Sequence, residues 1–168
     1  IESAPLDIYR VPRKNFFMGR WIKYSGWYPN FRQPQLFKNG KMSYDLKPVH
    51  EGFVSQSNLE IGVIKNSIWQ FPYKNTEELI NKANRYSTLG VKKLQDKGKT
   101  SGVFKAFLHG FWAFNKHYIL KLGFLDGGAG FVIAFGNFEG TFYRYIKLNE
   151  VQKNWAHPAS KPIYKTKK

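Results

Sequence analysis

Apolar and polar positions follow two rhythms along this chain. Through about Pro72 they come as short aromatic or aliphatic runs cut by Gly, Pro and Asn; beyond it they recur at helical spacing. In residues 1–13, Pro5 and Pro12 bias the residues before them toward extended or turn conformations, which predicts a loop with one strand. Residues 15–37 are dense in aromatics and broken by Gly19, Gly26, Pro29 and Pro34, a pattern of short strands and tight turns. Asn39-Gly40, two residues that tolerate positive φ, predicts a hairpin turn between Leu36-Phe37 and Met42-Tyr44. From Val49 to Ile68, alternating apolar and polar positions predict one or two further strands.

Helical patterning begins at Asn75. Its side chain can cap a first turn containing Glu77 and Glu78, with Glu78 at the reciprocal capping-box position. Leu79, Ala83, Tyr86, Gly90 and Leu94 form one predicted apolar stripe to about Gln95, and Lys97–Gly102 reads as the loop that ends the helix. A second apolar segment, Val103 to Leu125, is interrupted by Lys105, His109, Asn115, Lys116, His117 and Lys121. It therefore lacks the roughly 20 consecutive apolar residues that span a bilayer. Its composition fits a helix lying in a membrane interface, with Phe107, Phe111, Trp112, Phe114 and Tyr118 at the headgroup boundary and lysines toward anionic lipid. It fits a core helix of a larger domain equally well. Gly123–Gly130 reads as a glycine-rich turn, Phe131–Phe135 as a short apolar run, Thr141–Leu148 as another helix, and Trp155–Lys168 as a solvated tail.

Composition sharpens this picture. The 27 Lys and Arg against 11 Asp and Glu give a formal charge of +16 on 168 residues, which points to an anionic partner: nucleic acid, a phospholipid surface or a phosphorylated substrate. With 15 Phe, 10 Tyr and 5 Trp, the chain has ample apolar area to offset chain entropy, so it is not a disordered basic tail. The absence of cysteine excludes a disulfide framework and thiolate metal sites. The chain starts at Ile1 rather than Met and nothing at its start resembles a signal peptide, so it is expected to be a piece of something longer.

Standard site motifs are missing: no phosphate loop, no His-Glu-x-x-His and no serine elbow. The four aspartates, Asp7, Asp45, Asp96 and Asp126, are scattered, so no Asp-x-Asp pair exists. Glu51, in Pro48-Val49-His50-Glu51-Gly52, is the acid that stands out. A carboxylate after a strand could take the proton of a sugar hydroxyl as general base, or simply be solvated. His50 has the same two sides, metal ligand or packing residue. Trp27 and Tyr28 offer aromatic faces to the CH-rich faces of a sugar, or are core aromatics. Arg32 and Lys38 could meet phosphates, or are ordinary exposed cations.

One ordered series of segments carries a resemblance. It runs through Tyr9–Ile22, Ser25-Gly26-Trp27-Tyr28-Pro29-Asn30, Leu36-Phe37-Lys38, Val49-His50-Glu51 and Tyr73-Lys74-Asn75. It continues through Arg85-Tyr86-Ser87 and Tyr118–Gly127 to Tyr145-Ile146-Lys147-Leu148. This series resembles the second half of family 2 glycosyltransferases, and among them the bacterial cell-envelope group that includes lipopolysaccharide-core β-glucosyltransferases. Two positions depart from the family pattern: Gln35 stands where Arg is common before the Leu-Phe pair, and Gln70 near a common His. The Gln35 departure removes a fixed positive charge that could bind diphosphate.

The resemblance implies an α/β class, α+β as a fragment. Residues 1–72 would be the acceptor-side half of a GT-A catalytic domain, 73–150 a helical, membrane-interface-like region with basic, aromatic-rich amphipathic helices, and 151–168 a basic tail. It further implies that Glu51 is the catalytic base of an inverting transfer from a nucleotide-sugar donor to a cell-envelope glycan or lipid-linked acceptor. Trp27, Tyr28, Arg32 and Lys38 would contact substrate. A divalent ion, Mg or Mn, would neutralise the leaving diphosphate, with His50 a weak candidate ligand and the main ligands in a preceding half. The expected location is the inner face of the cytoplasmic membrane, with an anionic membrane surface as partner. Two other functions fit the composition: a basic, aromatic nucleic-acid-binding module and a non-catalytic membrane-surface module.

Overall fold

The computed structural model describes residues 5–29, 34–44, 52–55 and 60–153. The architecture is mixed α and β, with small sheets followed by helices, in two compact units, Ile1–Pro72 and Tyr73–Lys168.

The first unit holds β1 (Ile8–Arg10), β2 (Arg13–Phe17), β3 (Arg20–Ile22), β4 (Leu36–Phe37), β5 (Met42–Tyr44), β6 (Phe53–Ser55), β7 (Ile61–Val63) and β8 (Ile68–Gln70). Three small sheets result, ordered β4-β1-β7, β3-β2-β8 and β5-β6. Pro12, which has no N–H to donate, separates β1 from β2, so the chain passes from the first sheet to the second. The return segment follows it: β7 pairs parallel with β1 and β8 parallel with β2, and Ile64 and Ile68 donate backbone N–H to the carbonyls of Arg10 and Pro12 across the break. Tyr9 lies opposite Gly62, where a Cβ would come within 2.7 Å of the Tyr9 ring, so glycine makes room for the tyrosine. Among the described residues of this unit, Ile8, Phe17, Ile22 and Met42 have buried side chains.

The hairpin lies elsewhere than Asn39-Gly40. Met18 (φ 50°) and Gly19 (φ 72°) both take positive φ, the geometry of a type I′ turn, and join β2 to β3 antiparallel. At residues 38–41 only Gly40 has positive φ, so the strands on either side splay: β4 pairs with β1 and β5 with β6.

The second unit holds α1 (Thr76–Asp96), α2 (Val103–Asn115) and α3 (Gly127–Lys153), with a π-helical turn at Lys116–Leu120 and a 3-10 turn at Gly123–Asp126. The α1 cap forms as the sequence predicts: the Asn75 carboxamide accepts from the Glu78 N–H at 2.9 Å. The reciprocal bond goes one residue upstream, from the Lys74 N–H to the Glu78 carboxylate at 2.7 Å. That N–H and the Lys82 ammonium together hold the Glu78 carboxyl below the usual range. A Schellman motif ends α1, with Gly98 at φ 61° and N–H groups of Gly98 and Lys99 donating to the carbonyls of Gln95 and Leu94. Its buried positions are Leu79, Ser87 and Val91; Tyr86, expected in the apolar stripe, is exposed.

α3 is one helix of 27 residues where the sequence suggested a turn, an apolar run and a separate helix. Its glycines are points of close approach. A Cβ on Gly130 would fall 1.8 Å from the Gly123 carbonyl oxygen, and one on Gly136 would fall 2.9 Å from the Leu79 side chain. Polar bonds then lock α3 to its neighbours: Gln152 joins the loop before α2, accepting from the Ser101 N–H and donating to the Lys99 carbonyl. On α1, the Lys147 ammonium donates to Asn84 and to the hydroxyls of Ser87 and Thr88.

Candidate functional site

Strand β2 organises the first unit because its alternating side chains point to two chemically different faces. Arg13, Asn15 and Phe17 share one face; Lys14 and Phe16 share the other.

On the Arg13 face, polar side chains tie together loops that are distant in sequence. The Arg13 guanidinium donates through Nε to the Gln35 carboxamide and through Nη1 to that of Gln70, each at 3.4 Å. Two residues on, the buried Asn15 donates from Nδ2 to the Trp27 carbonyl at 2.9 Å. A second type I′ turn, Ser25 (φ 58°) and Gly26 (φ 76°), delivers Trp27 to that bond, and the Trp27 N–H closes the turn on the Tyr24 carbonyl. The two positions at which the sequence departs from the transferase pattern, Gln35 and Gln70, thus both accept from one arginine.

On the opposite face, β8, β2 and β3 bring aromatics into a continuous shelf. Phe16 stacks near Phe71 (centroids 5.4 Å apart) and tilts against Trp69 (5.1 Å), while Trp21, paired with Phe16 across the hairpin, meets Tyr28 edge to face at 5.3 Å. The Lys14 ammonium lies 4.8 Å from the Trp21 ring centre. Trp69 and Phe71 are 69 % and 67 % exposed, which leaves their faces open to a ligand. The Trp21 indole Nε1 is shielded from water and has no acceptor among the described residues.

Trp27 and Tyr28, grouped by the sequence, separate here. Trp27 packs near Phe17 with centroids 6.2 Å apart, and Tyr28 joins the shelf through Trp21. Lys38 is ion-paired: its ammonium sits 2.8 Å from Asp7, which Lys41 also approaches at 3.8 Å, and the Lys38 hydrogen bond holds the Asp7 carboxyl below its ordinary value. Arg32, His50 and Glu51 lie outside the described residues. Among the described residues no group of three or more His, Asp or Glu converges as a metal-ligand set. Sequence reasoning missed Phe16, Trp21, Trp69 and Phe71. Their only signal was aromatic density, because the parallel β2–β8 register that unites them is not written locally.

No family model matches the chain, and no solved structure matches it.

Proposed function

We propose that this chain is the acceptor-side part of an inverting glycosyltransferase of GT-A architecture, acting on a cell-envelope glycan or lipid-linked acceptor. The ordered series of segments from Tyr9 to Leu148 carries this reading. The shelf gives it physical support: Phe16, Trp21, Tyr28, Trp69 and Phe71 offer apolar faces to the CH surfaces of sugar rings, and the Lys14 ammonium offers a donor to hydroxyls at the ring edge. Arg13 supplies a guanidinium one hydrogen bond from position 35, which restores near Gln35 the positive charge that its own side chain lacks.

In this mechanism Glu51 accepts the proton of the acceptor hydroxyl as its oxygen attacks the anomeric carbon. The new C–O bond forms on the face opposite the departing nucleotide diphosphate, so the anomeric configuration inverts. The bond to the leaving phosphate oxygen breaks with its electron pair.

Two measurements test the proposal. In the protein as its gene encodes it, Glu51→Gln abolishes sugar transfer and preserves donor binding; unchanged turnover removes Glu51 as base. In the 168-residue chain, envelope oligosaccharides shift the indole N–H resonances of Trp21 and Trp69. If single-stranded nucleic acid shifts them instead, with steep salt dependence and no response to sugars, the shelf stacks bases and the nucleic-acid reading replaces this one.

A further inference from the structure

Leu79, Val91, Ile133 and Leu148 of α1 and α3 are buried, but on α2 small residues are buried and large apolar ones are exposed. α2 turns Ala106 and Gly110 inward; Ala106 is 0 % exposed, and a Cβ on Gly110 would sit 3.0 Å from the Phe138 ring of α3. Phe107 and Phe114 meet Phe138 and Phe131 of α3, but the other large side chains face away: Phe104, Leu108, Phe111 and Trp112 occupy one arc of the helix, with Phe104 75 % and Trp112 61 % exposed. A helix stabilised only by a water-soluble core buries its large residues and exposes its polar ones. Small residues at the helix contact and large apolar ones outside are the arrangement of helices packed in lipid.

The segment that follows extends the exposed apolar surface. After the π-helical turn, Leu122 takes positive φ (55°), and the axis of Val103–Leu120 meets that of Gly123–Lys153 at 71°, with Leu120, Phe124 and Leu125 exposed around the bend. Neither helix alone is long and apolar enough to cross a membrane. The 18 residues of Val103–Leu120 cover about 27 Å, short of the ~30 Å of a hydrocarbon core, and include Lys105 and Lys116.

Charge identifies the occupant. From Lys97 to Leu125 the chain carries Lys97, Lys99, Lys105, Lys116 and Lys121 and no Asp or Glu. A second copy of this chain would bring the same unbalanced cations to the contact and repel them, whereas an anionic lipid surface neutralises them while its acyl boundary takes the aromatics. We infer that the outward arc of α2 and the bend after it insert into the headgroup boundary of an anionic bilayer, lying in its plane rather than crossing it. This stands on the helical unit itself, whether or not the first unit binds sugars.

Flotation of the 168-residue chain with vesicles tests it. The chain rises with vesicles of equal phosphatidylglycerol and phosphatidylcholine and not with phosphatidylcholine alone. A form keeping Trp112 as its single tryptophan is quenched by lipids brominated near the headgroup end of the acyl chain. Phe111→Ser with Trp112→Ser lowers partitioning by about tenfold or more at unchanged helix content, since both side chains are exposed. Lys99→Gln, Lys105→Gln and Lys116→Gln together weaken binding and its salt dependence. Three results overturn the proposal: no flotation with anionic vesicles, undiminished flotation of the serine variant, or self-association that shields Trp112 while vesicles are ignored.

Discussion

Lys147→Met isolates the polar clamp between α3 and α1. The Lys147 ammonium has three protons, and four oxygens lie in reach: the Asn84 carbonyl at 3.1 Å, the Asn84 carboxamide at 2.7 Å, and the Ser87 and Thr88 hydroxyls each at 2.8 Å. Hydrogen bonds to a charged donor contribute about 1.5–3 kcal/mol each when sheltered. Asn84 and Thr88 are exposed, so water replaces the lysine there, and only the contact to the fully buried Ser87 keeps most of that value. Methionine preserves most of the aliphatic stem and removes the desolvation of a partly buried ammonium, which itself holds the Lys147 pKa below the ordinary lysine value. The net loss is about 1–2 kcal/mol. With a urea slope of about 1–3 kcal/mol per molar, a 1.5 kcal/mol loss lowers the midpoint of the 222 nm helical transition by about 0.5–1.5 M. Ser87→Ala combined with Lys147→Met gives a coupling energy above about 0.5 kcal/mol if the pair interacts as drawn. A methionine variant as stable as the parent, or additive double-variant energies, refutes the clamp.

Gly130→Ala puts a methyl group 1.8 Å from the Gly123 carbonyl oxygen, a contact no rotamer relieves. It lowers stability by about 3 kcal/mol or more in the same urea titration. Gly62→Ala drives Cβ to 2.7 Å from the Tyr9 ring and costs about 1–3 kcal/mol, read as loss of near-ultraviolet aromatic ellipticity at lower denaturant. His109 stacks on Tyr145 of α3 at 4.1 Å between centroids; burial, with Lys105 and Lys99 nearby, holds its pKa below the ordinary 6.5. The unfolded chain therefore binds that proton more readily, so stability is full above about pH 6.5 and falls as the pH drops below it. His109→Phe flattens that part of the stability–pH curve while keeping a stacked ring.

What the sequence made legible was local in origin. The Asn75 cap, the Glu78 return bond and the Lys97-Gly98 stop depend on residues a few positions apart, and they appear almost as written. The glycines of α3 misled because a glycine needed for close helix contact looks the same as one needed for a turn: Gly130 and Gly136 accommodate Gly123 and Leu79, partners far away or on another element. Asn39-Gly40 misled for a related reason. The dipeptide permits a type I′ turn, yet β1 and β6 claim the flanking strands, and Met18-Gly19 makes the hairpin instead. The shelf was least legible because Trp69 and Phe71 reach Phe16 only through the parallel β2–β8 pairing, which no local pattern encodes.

Both units expose aromatic rings, but the surroundings of those rings differ in a way that predicts different ligands. The shelf carries polar groups beside its rings: the Lys14 ammonium over Trp21 and the phenol of Tyr28, which meets Trp21 edge to face. A purely hydrocarbon partner would leave those donors unpaired at a cost, whereas a ring bearing hydroxyls satisfies them. On α2, the arc of Phe104, Leu108, Phe111 and Trp112 holds the Trp112 indole, a side chain suited to a headgroup boundary, and Asn115, whose carboxamide N–H is turned back onto the Phe111 carbonyl, with Lys105 at its edge. A sugar there would surrender its hydroxyl hydration without return. The two surfaces should therefore separate experimentally: Trp69→Ala weakens retention on an oligosaccharide column and leaves vesicle flotation intact, while Trp112→Ser does the reverse. A single substitution that abolished both would show that one shared surface, or loss of the fold, underlies the two activities.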